Sequence, residues 1–204
     1  MVEQTKVKPT IYTPAEYFAL EGQSEVRHEY FDGEIFAMAG TSKPHNALCF
    51  NMAMALNNGL RGSGCQVCMG SVCTAVEENF HYTYPDIVVS CHPDDRRDKL
   101  MVCHPVLIVE VLSPGTADYD RTGKFRQYQK LPSLRHYLLV AQTQSCVEYY
   151  RRNEANEWVY TAPTEPTDVL EIADLSLKIP LSDLYDDADV PFLRVVPPTR
   201  NEAF

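Results

Sequence analysis

The sequence has no apolar run that approaches the roughly 18 consecutive residues of a membrane-spanning helix, so no membrane association is expected. Its first residues, MVEQTKVKPTIY, lack the apolar core of a secretory signal, so we expect a cytoplasmic protein. Internal repeats and low-complexity segments are also absent from the sequence. A chain of 204 residues that is 45% hydrophobic and 23% charged is typical of one ordinary globular domain, with room for a peripheral extension.

A paired cysteine framework is lacking too, because the seven cysteines are an odd number and most of them lie in apolar runs. This pattern favours reduced, buried thiols, and we expect no disulfides. Cys65 and Cys68 form a CxxC pair that is followed by Cys73, but a structural zinc site needs two ligand pairs on tight turns. Since Cys68 and Cys73 lie in a stretch that alternates like a strand, we interpret these cysteines as small core residues.

Basic residues are fewer than acidic ones: the sequence has 18 Lys and Arg and 28 Asp and Glu, which gives a formal net charge of -10. Most of the acidic excess lies in residues 153–204, which carry eleven acids and three bases. The near-neutral remainder contains one basic cluster: Arg121, Lys124, Arg126, Lys130 and Arg135. Such a cluster fits either a solvated helix face or a local patch for a polyanion.

The N-terminal third of the chain predicts two helices and a hairpin. The stretch TPAE at residues 13–16 combines a capping box with proline at the first helical position, so a short helix should run to about Leu20. Asp32-Gly33 lies between two alternating runs and predicts a β-hairpin. Apolar residues at helical spacing in SKPHNALCFNMAMALNNGL predict a second helix, packed on the sheet.

The rest of the chain alternates mainly like strands, with one long helix predicted at about 117–130 and a loop at 93–97. The predicted strands are 66–77, 84–91, 105–113, 135–141, 145–152 and 170–179, before a short acidic helix at 181–190. This order predicts an α+β fold, a mixed central sheet flanked by helices. We divide the chain into an N-terminal extension (1–11), a main domain (12–160) and an acidic C-terminal extension packed on or near it (161–204).

Glu110 interrupts the most apolar of these strands, in VLIVEVLSPG. Burial of an unpaired carboxylate costs several kcal/mol, so Glu110 must be paired, protonated, metal-bound or open to a cleft. Asp86 immediately precedes another apolar strand, and the short intervening loop lets the two strands be neighbours. Two close acids repel unless a cation lies between them, and their oxygens suit magnesium or manganese. The alternative is two strand-end acids that arginine or water satisfies.

Pro85-Asp86, followed after twenty-three residues by Glu110-Val111-Leu112, resembles the signature of PD-(D/E)XK nucleases. A longer ordered set of stretches resembles the Uma-two (Uma2) family of restriction endonucleases, from about Tyr12 to Tyr150. These stretches are HEYFDGEI, SKPHNAL, YPDIVV, PVLIVEVLSPGT, YDRTGKFRQYQ and LRHYLLV. Each motif is common by itself, whereas the ordered set is specific.

The resemblance implies a restriction-endonuclease-like fold that hydrolyses DNA phosphodiesters with Mg2+, for which Mn2+ can substitute, and without an organic cofactor. It implies that Asp86 and Glu110 bind the metal with the help of the Val111 carbonyl. Glu29 is our candidate for the upstream acid that many superfamily members place near the metal. Asp32 and Glu34 are its rivals, although Asp32 belongs to the predicted turn.

The sequence departs from the superfamily pattern at Leu112, where a catalytic lysine is normal. Lys124, on the next predicted helix, is the candidate for a lysine that has migrated to another position. Candidates for contacts with nucleic acid are Arg121, Arg126, Lys130 and His45. Arg121 could instead pair with Asp86 or Glu110, and His45 could support the metal ligands.

Three functions are compatible with these residues. The first is a magnesium-dependent DNA endonuclease, for which a homodimer would supply the two sites that duplex cleavage needs. The second is a nuclease-fold module that binds nucleic acid or a protein without cleavage, which Leu112 and the acidic C-terminal segment favour. The third, a metal hydrolase for a small phosphorylated substrate, requires a closed pocket. Convergence of Asp86, Glu110 and Lys124 would favour the first.

Overall fold

A computed structural model of the protein describes residues 11–38 and 40–192. The fold is α+β, as predicted, with two mixed sheets, a separate two-stranded hairpin and flanking helices. Residues 1–10 of the predicted N-terminal extension and residues 193–204 of the acidic extension lie outside the described ranges. Within those ranges, no helix is both long and apolar enough to cross a membrane.

The larger sheet contains the strands that carry the predicted metal ligands. Its six strands are β3 (Gln66–Met69), β6 (Ile87–Ser90), β8 (Pro105–Leu112), β9 (His136–Ala141), β10 (Val147–Arg152) and β11 (Trp158–Thr161). They lie in the order β11-β10-β9-β8-β6-β3. β8 is central, parallel to β9 and antiparallel to β6.

The smaller sheet carries the N-terminal hairpin. Its strands are β1 (His28–Phe31), β2 (Glu34–Ala37), β4 (Cys73–Glu77), β5 (His81–Thr83) and β7 (Met101–Val102), in the order β2-β1-β5-β4-β7. Asp32 and Gly33 have φ angles of 47° and 87°, as a two-residue hairpin turn requires. The predicted hairpin is therefore confirmed.

Helices cover the larger sheet on both faces. The helices are α1 (Pro14–Glu21), α2 (Lys43–Gly59), α3 (Pro93–Arg97), α4 (117–128) and α5 (Leu181–Leu184). The capping box predicted for α1 is present, with Thr13 and Glu16 bonded reciprocally. The predicted helices at 42–60 and 117–130 correspond to α2 and α4, whereas only Leu181–Leu184 (α5) of the acidic helix predicted at 181–190 is helical.

The side chains of β8 alternate between two hydrophobic clusters. Leu107, Val109 and Val111 pack with α2, in a cluster that also includes residues of the C-terminal hairpin described below. Ile108 and Leu112 pack with the opposite cluster, under α4. This alternation, predicted from the sequence, puts Glu110 on the α4 side of the sheet.

Several predicted boundaries are wrong. The predicted strand 66–77 breaks at Gly70, whose φ is 54°, and its halves β3 and β4 belong to different sheets. The predicted loop 93–97 is the short helix α3. The predicted strand 170–179 is a hairpin of β12 (Val169–Ile172) and β13 (Leu177–Pro180), because Ser176 is left-handed and turns the chain. The strands β5, β7 and β11 were not predicted.

The expectation that all seven cysteines are reduced is also wrong, because Cys65 and Cys91 form a disulfide. β3 and β6 are antiparallel with Gln66 opposite Ser90, so the flanking cysteines face each other. Cysteine spacing cannot show this register, which depends on tertiary pairing of the strands. The five other cysteines, Cys49, Cys68, Cys73, Cys103 and Cys146, are free thiols.

Alkylation of the unfolded, unreduced protein is expected to modify five of its seven cysteines, and prior reduction should raise the number to seven. Reduction should also lower the free energy of unfolding by about 3 kcal/mol, since the bond closes a loop with a sequence separation of 26. Peptide mass spectrometry should find Cys65 linked to Cys91. Seven modified cysteines without reduction would contradict the disulfide.

Candidate active site

Asp86 and Glu110 lie at adjacent positions of the β6–β8 pair. Ile87 is registered with Val109, so the residues next to them, Asp86 and Glu110, are neighbours across the sheet. The backbone N–H of Val111 donates to Asp86 Oδ2 at 2.7 Å. Glu110 is only 4% exposed, whereas the Asp86 side chain is 18% exposed. Of the two neighbouring carboxylates, Asp86 is therefore the one that solvent can reach.

Lys124 extends from α4 into this site. Its Nζ lies 3.0 Å from Glu29 Oε1, 3.1 Å from Glu110 Oε1 and 3.7 Å from Asp120 Oδ1. Burial alone would lower the pKa of Lys124, but the carboxylates of Glu110, Glu29 and Asp120 raise it well above its usual value. The side chain is therefore a buried ammonium, at the junction of the two sheets.

A π-helical turn in α4 brings Lys124 and Asp120 to the same site. The helix has an α-helical turn at Ala117–Tyr119, the π-turn at Asp120–Lys124 and a second α-helical turn at Phe125–Tyr128. A Cβ atom at Gly123 would lie 2.5 Å from the Tyr119 ring, so a larger residue there would require this half-exposed ring to move. Single π-turns inside α-helices are frequent at functional sites.

Two hydroxyl groups, two glutamates and the Lys124 ammonium form a closed ring of polar contacts. Thr83 Oγ1 donates to Glu29 Oε1 at 2.5 Å and lies 3.4 Å from the Tyr128 hydroxyl. Tyr128 in turn donates to Glu110 Oε1 at 2.8 Å. Burial raises the pKa of Tyr128 well above its usual value, so its hydroxyl stays protonated as a donor. Lys124 completes the ring, because it contacts both glutamates.

The two glutamates of this ring differ in charge. Burial raises the pKa of Glu110 to about 8, with the charges of Asp86 and Asp120 adding to a shift that Lys124 only partly offsets. The pKa of Glu29 is lowered, because Lys124 and Thr83 outweigh its burial. The side chains of Glu110, Glu29 and Asp120 thus share one ammonium, and a further cation would favour ionised Glu110.

His45, near the start of α2, lies against the open side of Asp86. Its Nε2 is 3.3 Å from Asp86 Oδ2, and its Nδ1 is 3.5 Å from Cys49 Sγ. His45, Cys49 and Asp86 offer ligand atoms that all lie within 4.8 Å of one another. Burial and the nearby charges of Asp86 and Glu110 raise the pKa of the Cys49 thiol.

The structure brings together four of the residues singled out in the sequence: Asp86, Glu110, Lys124 and Glu29. Of the rivals to Glu29, Asp32 lies in the hairpin turn and Glu34 is exposed on β2. Sequence reasoning missed Thr83 and Asp120 altogether. Asp120 had a detectable signal, because it precedes Lys124 by four residues, the spacing of one helical turn.

The basic residues proposed for nucleic-acid contacts do not converge on the carboxylates. Arg121 pairs with Glu148 on β10, with its Nε 2.8 Å from Oε1, and not with Asp86 or Glu110. Arg126 is exposed on α4. Lys130 lies 3.4 Å from Glu77 and is also exposed. The last two remain available to an approaching polyanion.

Replacing Tyr128 by phenylalanine is expected to keep the fold and weaken the site. The ring is fully buried and would still fill its space, but Glu110 Oε1 would lose one hydrogen bond. We expect a loss of about 0.5–1.5 kcal/mol in the free energy of unfolding, the net contribution of one hydrogen bond, because Lys124 still contacts the same oxygen; urea denaturation measures it.

Tyr149→Phe is the matched control for this change, because it removes a buried hydroxyl that contacts His136 instead. Both variants should lose stability, but only Tyr128→Phe should change divalent-metal affinity. Equal metal affinity in the two variants would show that the Tyr128 hydroxyl does not position Glu110.

Comparison with known proteins gives consistent results. The sequence profile of the Uma2 family, described as "Putative restriction endonuclease", matches residues 14–182. Two proteins of Synechocystis sp. are similar, "Uncharacterized protein slr1290" and "Uncharacterized protein sll1609". The first is 36% identical over 173 residues, covering 85% of this chain and 90% of the relative. The second is 33% identical over 153 residues, covering 74% of this chain and 86% of the relative.

The fold also matches a solved structure. A crystal structure from Anabaena variabilis, described as "a putative nuclease belonging to DUF820", superposes with a TM-score of 0.70. The match covers 85% of this chain and 97% of that chain, with 19% sequence identity. At this identity the likeness supports the fold, and it does not identify a substrate.

Proposed function

The chain belongs to the Uma2 family, and from this membership we propose that it is a metal-dependent DNA endonuclease that hydrolyses phosphodiester bonds. One observation carries the proposal. The Lys124 ammonium lies within 3.1 Å of both Glu29 and Glu110, beside Asp86 on the adjacent strand. This arrangement supplies the compact positive charge that a lysine at position 112 usually provides.

The donor set fits a hard divalent cation. Asp86, Glu110 and the carbonyl of Val111 offer oxygen ligands, which suit Mg2+, with Mn2+ as a substitute. The carboxylates around Lys124 outnumber its single charge, so the site favours additional positive charge. When bound, the ion would lower the pKa of a water molecule and neutralise charge on the phosphate.

The protein's own residues position the reacting groups. The N–H of Val111 orients the Asp86 carboxylate, and the Tyr128 hydroxyl orients Glu110. Contacts with Glu29 and Asp120 hold the Lys124 ammonium in place before a substrate arrives. From that position the ammonium would stabilise the negative charge that develops on the phosphate during attack by water.

DNA is the proposed substrate, and Arg126 and Lys130 are the proposed phosphate contacts. Both are exposed, Arg126 on α4 and Lys130 just after it, and Lys130 could exchange Glu77 for a phosphate group. Binding that depends on such contacts should weaken steeply with salt. Cleavage of both strands requires two sites, so we also propose that the active form is a homodimer.

Incubation with supercoiled plasmid tests the proposed activity. With Mg2+ or Mn2+ the protein should convert the plasmid to nicked and linear forms, whereas EDTA should prevent conversion. The presence of Leu112 at the usual lysine position favours a second candidate, a module that binds nucleic acid without cleavage. Salt-sensitive binding without any nicking at high protein concentration would support that candidate and contradict ours.

A further inference from the structure

We infer that the cation site includes a nitrogen ligand, His45 Nε2, and therefore prefers a transition-metal ion such as Mn2+ over Mg2+. The inference rests on the proposed function, because it shares Asp86 with the proposed oxygen ligands. It assigns His45 to the cation itself, where the sequence suggested a contact with nucleic acid or support of the metal ligands. Three features of the site support this assignment.

The first feature is the position of Lys124, which restricts where a cation can bind. The Tyr128 hydroxyl and the Lys124 ammonium both contact the same glutamate oxygen, Glu110 Oε1. A cation at that oxygen would be repelled by the ammonium, only 3.1 Å away. The ion is therefore expected on the other side of the carboxylate pair, toward Asp86.

The second feature is His45, which borders that other side. Its Nε2 lies 3.3 Å from Asp86 Oδ2, and the histidine is only 7% exposed. Asp86 Oδ2 already accepts the N–H of Val111, so the carboxylate is fixed from the strand side. An ion held by Asp86 on this side would meet the imidazole nitrogen as its next neighbour, because His45 and Asp86 offer ligand atoms within 4.8 Å of each other.

The third feature is Cys49, which can fix the imidazole tautomer. A single ion binds one ring nitrogen, and the other nitrogen, Nδ1, faces Cys49 Sγ at 3.5 Å. Cys49 lies one helical turn after His45 on α2 and is buried. A proton on Nδ1 directed at this sulfur leaves the Nε2 lone pair free for the ion. Such outer contacts commonly orient histidine ligands.

The ligand chemistry then determines the preferred ion. Mg2+ favours all-oxygen surroundings and is reluctant to exchange its water molecules, whereas imidazole suits first-row transition metals. Mn2+ accepts oxygen ligands and an imidazole nitrogen together. The mixed pair of Asp86 and His45, with Glu110 on the adjacent strand, is therefore expected to bind Mn2+ more tightly than Mg2+.

Isothermal titration of the whole protein with Mn2+ and with Mg2+ tests the inference without relying on activity. His45→Asn keeps a polar side chain near Cys49 but removes Nε2, so it should weaken Mn2+ binding about 10–100-fold. Mg2+ binding should change much less. His45→Gln offers an amide oxygen in place of the nitrogen and should shift the preference back toward Mg2+.

His92→Asn is the matched control, because His92 is exposed beside α3 and contacts Asp94, away from the carboxylate pair. It should leave both affinities unchanged. Thermal unfolding of each variant verifies that the fold is intact, and His45→Gln provides the test if His45→Asn is unstable. Unchanged Mn2+ affinity in a folded His45 variant would overturn the inference.

Asp86→Asn separates this inference from the proposed function. If Asp86→Asn loses metal binding while the His45 variants keep their Mn2+ preference, the nitrogen ligand is wrong and the nuclease site stands. If Asp86→Asn also binds both ions normally, the proposed carboxylate site itself is wrong, and the inference falls with it.

Discussion

Replacing Lys124 by methionine is expected to reduce DNA cleavage by about 10²–10³-fold while divalent-metal binding is retained. Methionine is similar in length and fills the buried space, but it removes the charge that contacts Glu29 and Glu110. Metal binding should persist, because the proposed ligands are on β6 and β8 and the lost ammonium competed for the same carboxylates. Plasmid nicking rates, measured with saturating metal, check the result.

The same change should destabilise the metal-free protein. Removing one partner of a buried ion pair costs about 3–5 kcal/mol, because the remaining charge is buried without compensation. Added Mn2+ or Mg2+ should recover part of this loss by binding to the folded state alone. Urea denaturation with and without metal measures both effects.

Lys178→Met is the matched control for Lys124→Met. Lys178 carries the same charge on β13, where it is exposed and pairs with Glu171. Its removal should change the free energy of unfolding by no more than about 1 kcal/mol, as for exposed ion pairs, and should not change cleavage. A Lys124→Met variant as active as Lys178→Met would show that the lysine is not the missing catalytic charge.

Replacing either strand carboxylate by its amide is expected to abolish metal binding and cleavage. Asp86→Asn and Glu110→Gln keep side-chain volume, and each amide oxygen can still accept the hydrogen bond from Val111 or Tyr128. The fold should be intact, or even more stable for Glu110→Gln, because the amide cannot ionise at this nearly fully buried position. Calorimetry with Mg2+ and Mn2+ checks the binding.

Glu171→Gln is the corresponding control, since it removes an exposed carboxylate on β12. It should bind both ions as the unmodified protein does. Unchanged metal affinity in both Asp86→Asn and Glu110→Gln would contradict the assignment of these residues as ligands. Loss in only one variant would show that the ion depends on that carboxylate alone.

The central strand and its carboxylate were predictable because burial leaves a strong sequence pattern. β8 has eight residues, of which only Glu110 is charged and the others are apolar. A charged residue in such a run requires a physical explanation. The two-residue hairpin was predictable for a similar reason, since Asp32-Gly33 accepts positive φ locally. Turn conformation and strand alternation depend on residues that are close in the sequence, so the sequence alone predicts them.

Partners from distant elements could not be predicted in the same way. The contact between Thr83 and Glu29 depends on the pairing of β1 with β5, and β5 is too short to leave an alternating pattern. The Cys65–Cys91 bond depends on the register of β3 with β6. Strand pairing and register are tertiary properties, so they appear only when the sheet is assembled.

The position of Lys124 was only partly predictable. Its proximity to β8 followed from the short connection after that strand, but the π-turn that directs it inward did not. In that turn the Tyr119 ring lies against Gly123, a contact that helix propensity does not encode. The hydrogen bond from the buried Tyr128 hydroxyl to Glu110 likewise joins two elements and has no signal in the sequence.

The central claim is that carboxylates from two adjacent strands bind one divalent cation next to the Lys124 ammonium. The most direct measurement is anomalous diffraction from crystals of the protein soaked with Mn2+. We predict an anomalous peak within bonding distance of the Asp86 and Glu110 carboxylates, on the side away from Lys124. A peak elsewhere, or no peak at these carboxylates at saturating Mn2+, would contradict the claim.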